Sequence, residues 1–528
     1  MPLPTPAMQS ANPTQLSNST GRVRRYVSNL DRNVFAISGL PEEVIAVLLA
    51  RYSRSRDDLR SNLDQLLVHN AIAIGESNED LAATSTDQTS SDNSTIQDRA
   101  SAFHEKWVLG FGHDSVAEHA IIHLAVEQVS IIASKCIEDL RLGSFTEKST
   151  RYVKFDTGSF ADLHGLPTHL RQSYRATCET LFREYLDLFP QVQSLLEHIL
   201  PTHPEESPHH RAVTIRAKTC DILRGLLPAS THTNLGITAN ARAVASLLCK
   251  MLSSPLEEVR TIGEQMQSEA RTITPTLLKY IAPNHHRQTL RTRLQNCTDH
   301  AMPCGPRFDP LPPSPHVPVR IIRHDHDAMH RVALALCYDL DTHPDAATRM
   351  RQLEEQDTNT TQRIVEQAFA SRGPRDPAPR ALESSHITVE LDLDYGAYRD
   401  LQRHRMLSPT VQILGCSLGP SVPQQASSLG ILTRYEMALA SVVPTWTQLA
   451  EYDPFSAQYV VPLAYRVRVL WTLNLREAFH VIELRSGKRG HPSYRRAAQA
   501  LYHAICGVHP WLKDLIRVDL SDFDPARG

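Results

Sequence analysis

No apolar run in this sequence approaches the roughly 18 residues that a bilayer-spanning helix needs, and no signal-peptide core follows Met1. Both absences predict a cytoplasmic protein with no membrane role. Charge of one sign is missing too. Fifty-five Lys and Arg stand against 58 Asp and Glu, a formal charge of -3, so no global basic field exists to hold nucleic acid. Any anionic ligand must be met by local basic clusters. The nine cysteines are odd in number and never form C-x-x-C, which argues against a disulfide framework and against a zinc site. Reduced thiols in a reducing compartment follow. The first 25 residues contain nothing acidic and end in Arg22, Arg24 and Arg25. They loosely resemble a transit peptide, but a disordered tail over residues 1–20 is the simpler reading.

At 528 residues the chain is too long for one ordinary core, so at least two domains are expected. The run CTDHAMPCGPRFDPLPPSPHVP, from Cys297, has the composition of an interdomain linker. On either side of it the chain repeats itself. Pro228 and Pro462 each lie twelve residues before the asparagine of a T-x-N-x-R element, with Asn240 and Arg242 in one half and Asn474 and Arg476 in the other. Farther on, TPTLLKYI (from Thr274) matches HPWLKDLI (from His509) at nearly the same spacing. This predicts two divergent copies of one α/β (α+β) domain, residues 21–296 and 317–528, joined by a Pro-rich linker over 297–316.

Local patterns give both copies one plan of strand, helix and polar loop. In the first, Ala120 to Glu127 reads as a buried strand and Val129 to Leu140 as a helix. In the second, Ile387 to Asp394 alternates strictly as a strand should, and Tyr395 to Arg405 continues as a basic-ended helix.

Around these elements lie the residues with chemistry to offer. The first copy carries Gly112-His113-Asp114-Ser115-Val116-Ala117-Glu118-His119 before its strand and Ser144-Phe-Thr-Glu147-Lys-Ser149-Thr-Arg151-Tyr152 after its helix. The second carries Arg403-His404-Arg405 followed by Met-Leu-Ser408, with Glu383 twenty residues before the triplet. In these motifs the chain resembles the flavin-dependent thymidylate synthases, which have G-H-x-S-x-x-E-H, then R-H-R-x-x-S-x-N-x-x-S-x-R-Y, then N-x-R and a late arginine. Each copy matches only part: the first keeps the S-x-R-Y loop and the second keeps the arginine triplet.

The resemblance implies a site for deoxyuridine monophosphate composed from both copies. Glu147, Ser149, Arg151 and Arg224 would come from the first copy, and Arg403 and Arg485 from the second. The positions matching the last two in copy one are acidic (Glu138 or Asp139) and apolar (Met251), and Gln458 matches Arg224. One site is therefore complete and its mirror image is not. Guanidinium forks suit a phosphate dianion. The resemblance further implies His113 and Arg485 as catalytic residues. It implies a flavin site drawing on Ser115, Glu118, Asn240, Arg242, Glu383, Arg403, His404, Arg405, Asn474 and Arg476. FAD and NADPH are the implied cofactors and methylenetetrahydrofolate the one-carbon donor. A family tetramer would become a homodimer of two-copy chains. The family's phosphate-side glutamine is Asp400 here, expected to pair with an arginine such as Arg399, and Lys135, give or take one residue, in copy one. The alternative is a noncatalytic nucleotide- or flavin-binding descendant.

Overall fold

Period-two alternation of apolar residues builds a small antiparallel sheet in each half, and each central strand runs straight into a helix capped by its own last residue. The computed structural model describes residues 21–52, 55, 57–69, 114–201, 206–298, 318–340 and 342–522. The tail 1–20, His113, and the linker beyond Thr298 lie outside the described residues.

In the first half, α1 (Glu42–Tyr52) and α2 (Leu59–His69) form a pair over a small core of their own that includes Val23, Leu48 and Leu63. Then come β1 (Ile121–Ser130), α3 (Ile131–Glu138), β2 (Ser144–Glu147), α4 (Thr168–Ile199) and α5 (Pro208–Leu223). The half ends with β3 (His232–Asn240), α6 (Ala241–Leu252), α7 (Glu257–Ile273) and α8 (His285–Thr298). The second half opens with β4 (Val319–His324), α9 (Ala328–Cys337), α10 (Ala346–Glu354) and α11 (Thr358–Gln367). It continues with β5 (His386–Asp394), α12 (Tyr395–Leu401), β6 (Ser408–Val411), α13 (Leu432–Ala440), α14 (Val443–Tyr452), β7 (Arg466–Asn474), α15 (Leu475–Arg485) and α16 (Pro492–Val508).

The strand orders are β1-β3-β2 and β4-β5-β7-β6, antiparallel throughout. This is the α+β form of the expected class, in two tandem copies. Registers match position by position. Ile121 faces Asn240 as His386 faces Asn474, and Ser144 faces Thr238 as Ser408 faces Thr472. The same cap recurs as well. Ser130 and Asp394 accept from the amides of Ala133 and Ala397 at the starts of α3 and α12, and Asn240 and Asn474 do so for α6 and α15.

One extra residue separates the copies. β1 has a bulge between Val126 and Val129, with Gln128 at φ 55°, whereas β5 pairs with β7 without interruption. With that residue allowed for, Cys136 matches Asp400, Asp139 matches Arg403, and Arg141 matches Arg405. This resolves the choice between Glu138 and Asp139, and it replaces Lys135 by Cys136.

Two helix expectations need correcting. Val129 and Ser130 stay in β1 because they pair with Thr233 and His232, so α3 starts at Ile131. α12 ends at Leu401, so Arg403 to Arg405 sit in the turn leading to β6, where the chain must reverse before pairing with β7 from Ser408 onward.

The two copies meet along a seam with twofold pseudosymmetry. Pro228 bridges Pro462, Ala229 N donates to Val461 O and Leu463 N to Leu227 O, while Ser230 N donates to Tyr459 O and Ala464 N to Gly225 O. Gly225 is required there, since a Cβ would stand 2.1 Å from the Tyr435 hydroxyl. Helices α13 and α14 pack against the long α4 across this boundary. Among the described residues no helix is long and apolar enough to cross a membrane.

Candidate active site

Beside the seam, the loop after β2 faces the turn after α12. Glu147, Lys148, Ser149, Arg151 and Arg224 from the first copy line one cleft with Arg399, Asp400 and Arg403 from the second. Ser149 closes the loop on itself, its hydroxyl accepting from the Arg151 amide at 3.2 Å. Arg151 has every arm of its guanidinium engaged. Nε and Nη2 donate to Asp221 at 2.9 and 3.1 Å, and Nη1 donates to the Tyr494 hydroxyl at 2.9 Å.

Arg224, at the end of α5, lies flat on Gly396, where a Cβ would be 3.5 Å from its Cζ. Its Nη1 donates to Asp400 Oδ2 at 2.9 Å, and the side chains are only 4% and 9% exposed. Nη2 is buried and has no hydrogen-bond partner among the described residues. Burial pushes the Asp400 carboxyl up, but Arg224, Arg151 and Arg403 outweigh it and hold it at about 2. The expected partner, Arg399, is instead claimed by the first copy: it donates to Ser134 and Glu138 at 2.8 Å and to both oxygens of Glu147 at 3.3 Å. Burial raises the Glu138 carboxyl despite that cation, and the Arg399 guanidinium is held firmly protonated by Glu147 and Glu138 against its own burial.

Arg403 remains half-exposed, its nearest carboxylate oxygen being that of Asp400 at 3.9 Å. Behind it, His404 is buried between Glu477, 3.1 Å from Nδ1, and Arg485, whose Nε is 2.9 Å from Nε2. Because Arg485 can only donate, Nε2 must accept and Nδ1 carries the proton toward Glu477. Burial, with Arg485 adding to it, keeps the imidazole below its ordinary value, so it is neutral at pH 7. Arg485 also lies 5.6 Å from the centroid of the Tyr494 ring, which Arg151 approaches at 5.5 Å. The two expected arginines of different copies thus meet at one tyrosine. Arg405 and Arg141 tie the turns together reciprocally: Arg405 donates to the carbonyls of Arg141 and Gly143, and Arg141 to that of Leu407.

Of the residues expected to hold a flavin, Arg403, His404 and Arg405 lie in the turn at the composite cleft, and the rest fall in two corners of the chain. Glu118 accepts from Arg242 at 2.6 Å in the first copy, and Glu383 from Arg476 at 2.7 Å in the second. Ser115 is exposed on the turn before β1. Asn240 and Asn474 spend their carbonyl oxygens on helix caps. The first corner opens as a cleft containing Arg141, Arg242, Lys250 and Arg287 with Glu118 and Asp139, an excess of cations. At the mirror position of the composite cleft, Asp139 accepts from Lys250 at 2.9 Å and from Gln402 at 2.6 Å, and Gln458 accepts from the Leu414 amide. Met251, opposite number to Arg485, is fully buried.

Sequence reasoning missed Asp221 and Tyr494 as partners of Arg151, and it did not foresee that Arg399 pairs with Glu138. Asp221 sits three residues before Arg224, but its partner Arg151 is 70 residues away along the chain. The others act across the seam, and sequence spacing carries no trace of that.

Two matched copies that enclose a cation-lined cleft between them define a duplicated α+β class. The chain belongs to the thymidylate synthase complementing protein family, whose model matches residues 51–276 and again 320–511. It is 36% identical over 519 residues to a UPF0159 protein of Chlamydia muridarum, with 96% of each chain covered. It is 27% identical over 184 residues to a flavin-dependent thymidylate synthase of Saccharolobus solfataricus, covering 34% of this chain and 62% of that one. Among solved structures, a flavin-dependent thymidylate synthase from Helicobacter pylori complexed with FAD and dUMP aligns at 16% identity and a TM-score of 0.28. It covers 38% of this chain and 99% of that one.

Proposed function

We propose that the protein is a flavin-dependent thymidylate synthase that methylates deoxyuridine monophosphate at the cleft between its copies, with methylenetetrahydrofolate and NADPH as co-substrates. The observation that carries this reading is the convergence of Glu147, Ser149, Arg151 and Arg224 of one copy with Arg403 of the other on a single cleft, with Arg485 beside it. Family membership and the relatives with that activity support it.

The residues present fit the two ligands. The buried, unpartnered Nη2 of Arg224 offers a donor to an acceptor on the nucleotide, and the cation-rich corner at Arg242, Lys250 and Arg287 suits a pyrophosphate such as that of FAD. FAD, once bound, supplies the redox chemistry that reduces the one-carbon unit. The chain's own task is to hold the pyrimidine ring and stabilise the negative charge that makes its C5 nucleophilic. In this reading Arg403 and Arg485 do that, and Glu477 and His404, hydrogen-bonded in line to Arg485, orient it. Two chains then form a homodimer with two competent sites. The test is absorbance of the purified protein with and without added FAD and deoxyuridine monophosphate, followed by product assay. Flavin uptake with a nucleotide-dependent spectral change and thymidylate formation is the expected result. A protein that never takes up FAD refutes the reading, and flavin and nucleotide binding without turnover reduces it to a noncatalytic descendant.

A further inference from the structure

Three of the cleft's arginines are neutralised before any ligand arrives. Arg151 is spent on Asp221 and Tyr494, and Arg399 on Glu138 and Glu147. Arg224 gives one arm to Asp400, a residue from the opposite copy that lines the cleft itself. Asp221, Tyr494 and Glu138 stand behind the cleft, while Glu147, which lines it, is held on Ser134 and Arg399 and not on Arg224. Asp400 stands where an anionic ligand would approach Arg224, and its carboxylate is nine-tenths buried. A phosphate brought to Arg224 must therefore compete with a resident carboxylate or sit against it, and in a site withdrawn from water like charges repel strongly. An uncharged 5′-hydroxyl faces no such opposition, and the free Nη2 can still donate to it.

We propose that Asp400 is a specificity-determining residue, a built-in counter-ion that competes with the phosphate of the nucleotide for Arg224 and so suppresses the pocket's preference for nucleotide over nucleoside. This rests on the reading of the cleft as the pyrimidine site. Its consequence is unusual for a nucleotide pocket: removing a lining residue should improve binding. The uncharged ring and 5′-hydroxyl do not compete with Asp400 for the Nη1 arm of Arg224, so their contribution stays as it was. Asp400 ionises well below physiological pH, hence the competition persists across the working range.

The experiment measures dissociation constants of deoxyuridine monophosphate and deoxyuridine for the FAD-loaded full chain and for Asp400→Asn. In the variant the nucleotide should tighten by about tenfold or more, the scale of one charge-assisted hydrogen bond released to the ligand, while deoxyuridine changes by less than about threefold. Inorganic phosphate should protect the variant, and not the unaltered chain, against thermal unfolding. A nucleotide affinity that is unchanged or weaker in the variant, with flavin still bound, overturns the proposal but leaves the proposed activity standing. Flavin binding with neither pyrimidine ligand bound by either protein overturns the reading of the cleft, and this inference with it. Should Asp400→Asn not fold, the unaltered chain decides alone: a preference for nucleotide over nucleoside below about a hundredfold supports the proposal, and a larger one refutes it.

Discussion

Replacing Arg399 by methionine tests the joint between the copies most directly. The methionine roughly preserves length and removes the charge. It leaves Glu138 and Glu147, 8% and 12% exposed, facing each other without the cation that Ser134, Glu138 and Glu147 now share. Breaking a buried pair by removing one partner costs about 3–5 kcal/mol, which is a large fraction of the stability of an ordinary domain. Glu138 already has a raised pKa because of its burial, with Arg399 the chief force opposing the rise. Without Arg399 it rises further. A carboxyl whose folded pKa exceeds its unfolded value is favoured at low pH and penalised as pH rises through the folded value. The loss in Arg399→Met should therefore be largest near pH 8 and shrink steadily toward pH 5. Urea unfolding followed by fluorescence, at several pH values, reads this. Adding Glu138→Gln to the variant should recover part of the loss, since the pair is in direct contact. A loss under about 1 kcal/mol, or one that does not change with pH, would refute the claim that this cation holds the two copies together.

Arg403→Ala should weaken nucleotide binding severely, by about 2–5 kcal/mol, the usual cost of truncating one partner of a hydrogen-bonded charge pair, whereas the mirror change Asp139→Ala should leave affinity within about 1 kcal/mol; isothermal titration of both variants checks the pair, and equal effects would mean that the halves do not differ as argued. His404, neutral because burial lowers its pKa, accepts from Arg485 and donates to Glu477. Protonation removes that acceptor, so nucleotide affinity should hold above pH 6.5 and fall as pH drops toward the lowered pKa, with stability declining in the same window; His404→Gln should flatten the profile, and an unaltered acid limb in that variant would count against the assignment.

Most of the scaffold was legible because it rests on local chemistry stated twice. The Pro-to-Asn spacing in both halves and the strict alternation before Asp394 each encode a strand end within a few residues, whereas the capping by Asn240 and Asn474, read in the sequence as flavin contacts, came only with the structure. The gathering of Glu147, Ser149 and Arg151 with Arg403 could be anticipated only through the motifs that each copy retains. What escaped was the choice of partner across the seam. Asp400 was expected beside Arg399, its chain neighbour, yet each reaches into the other copy: one finds Arg224 and the other Glu138. Helix ends were misjudged for a similar reason. The turn after α12 is dictated by the register of β6 on β7, a nonlocal pairing that the basic run Arg403-His404-Arg405 does not reveal.

The reciprocal seam through Pro228 and Pro462 has a consequence for how such a protein can change. When identical chains associate about a twofold axis, every substitution is made on both sides at once, and a residue good for one pocket is imposed on its mirror image. Here the axis relates two stretches of one chain, each encoded on its own. Position 139 can be an aspartate that settles against Lys250 while its counterpart at 403 stays arginine. Ser130 can meet Glu258 while Asp394 meets Ser493, the acid and the hydroxyl having exchanged places. Joining the copies in one chain thus frees each role to be encoded once, and lets one cleft be refined while the other is filled in as structural support.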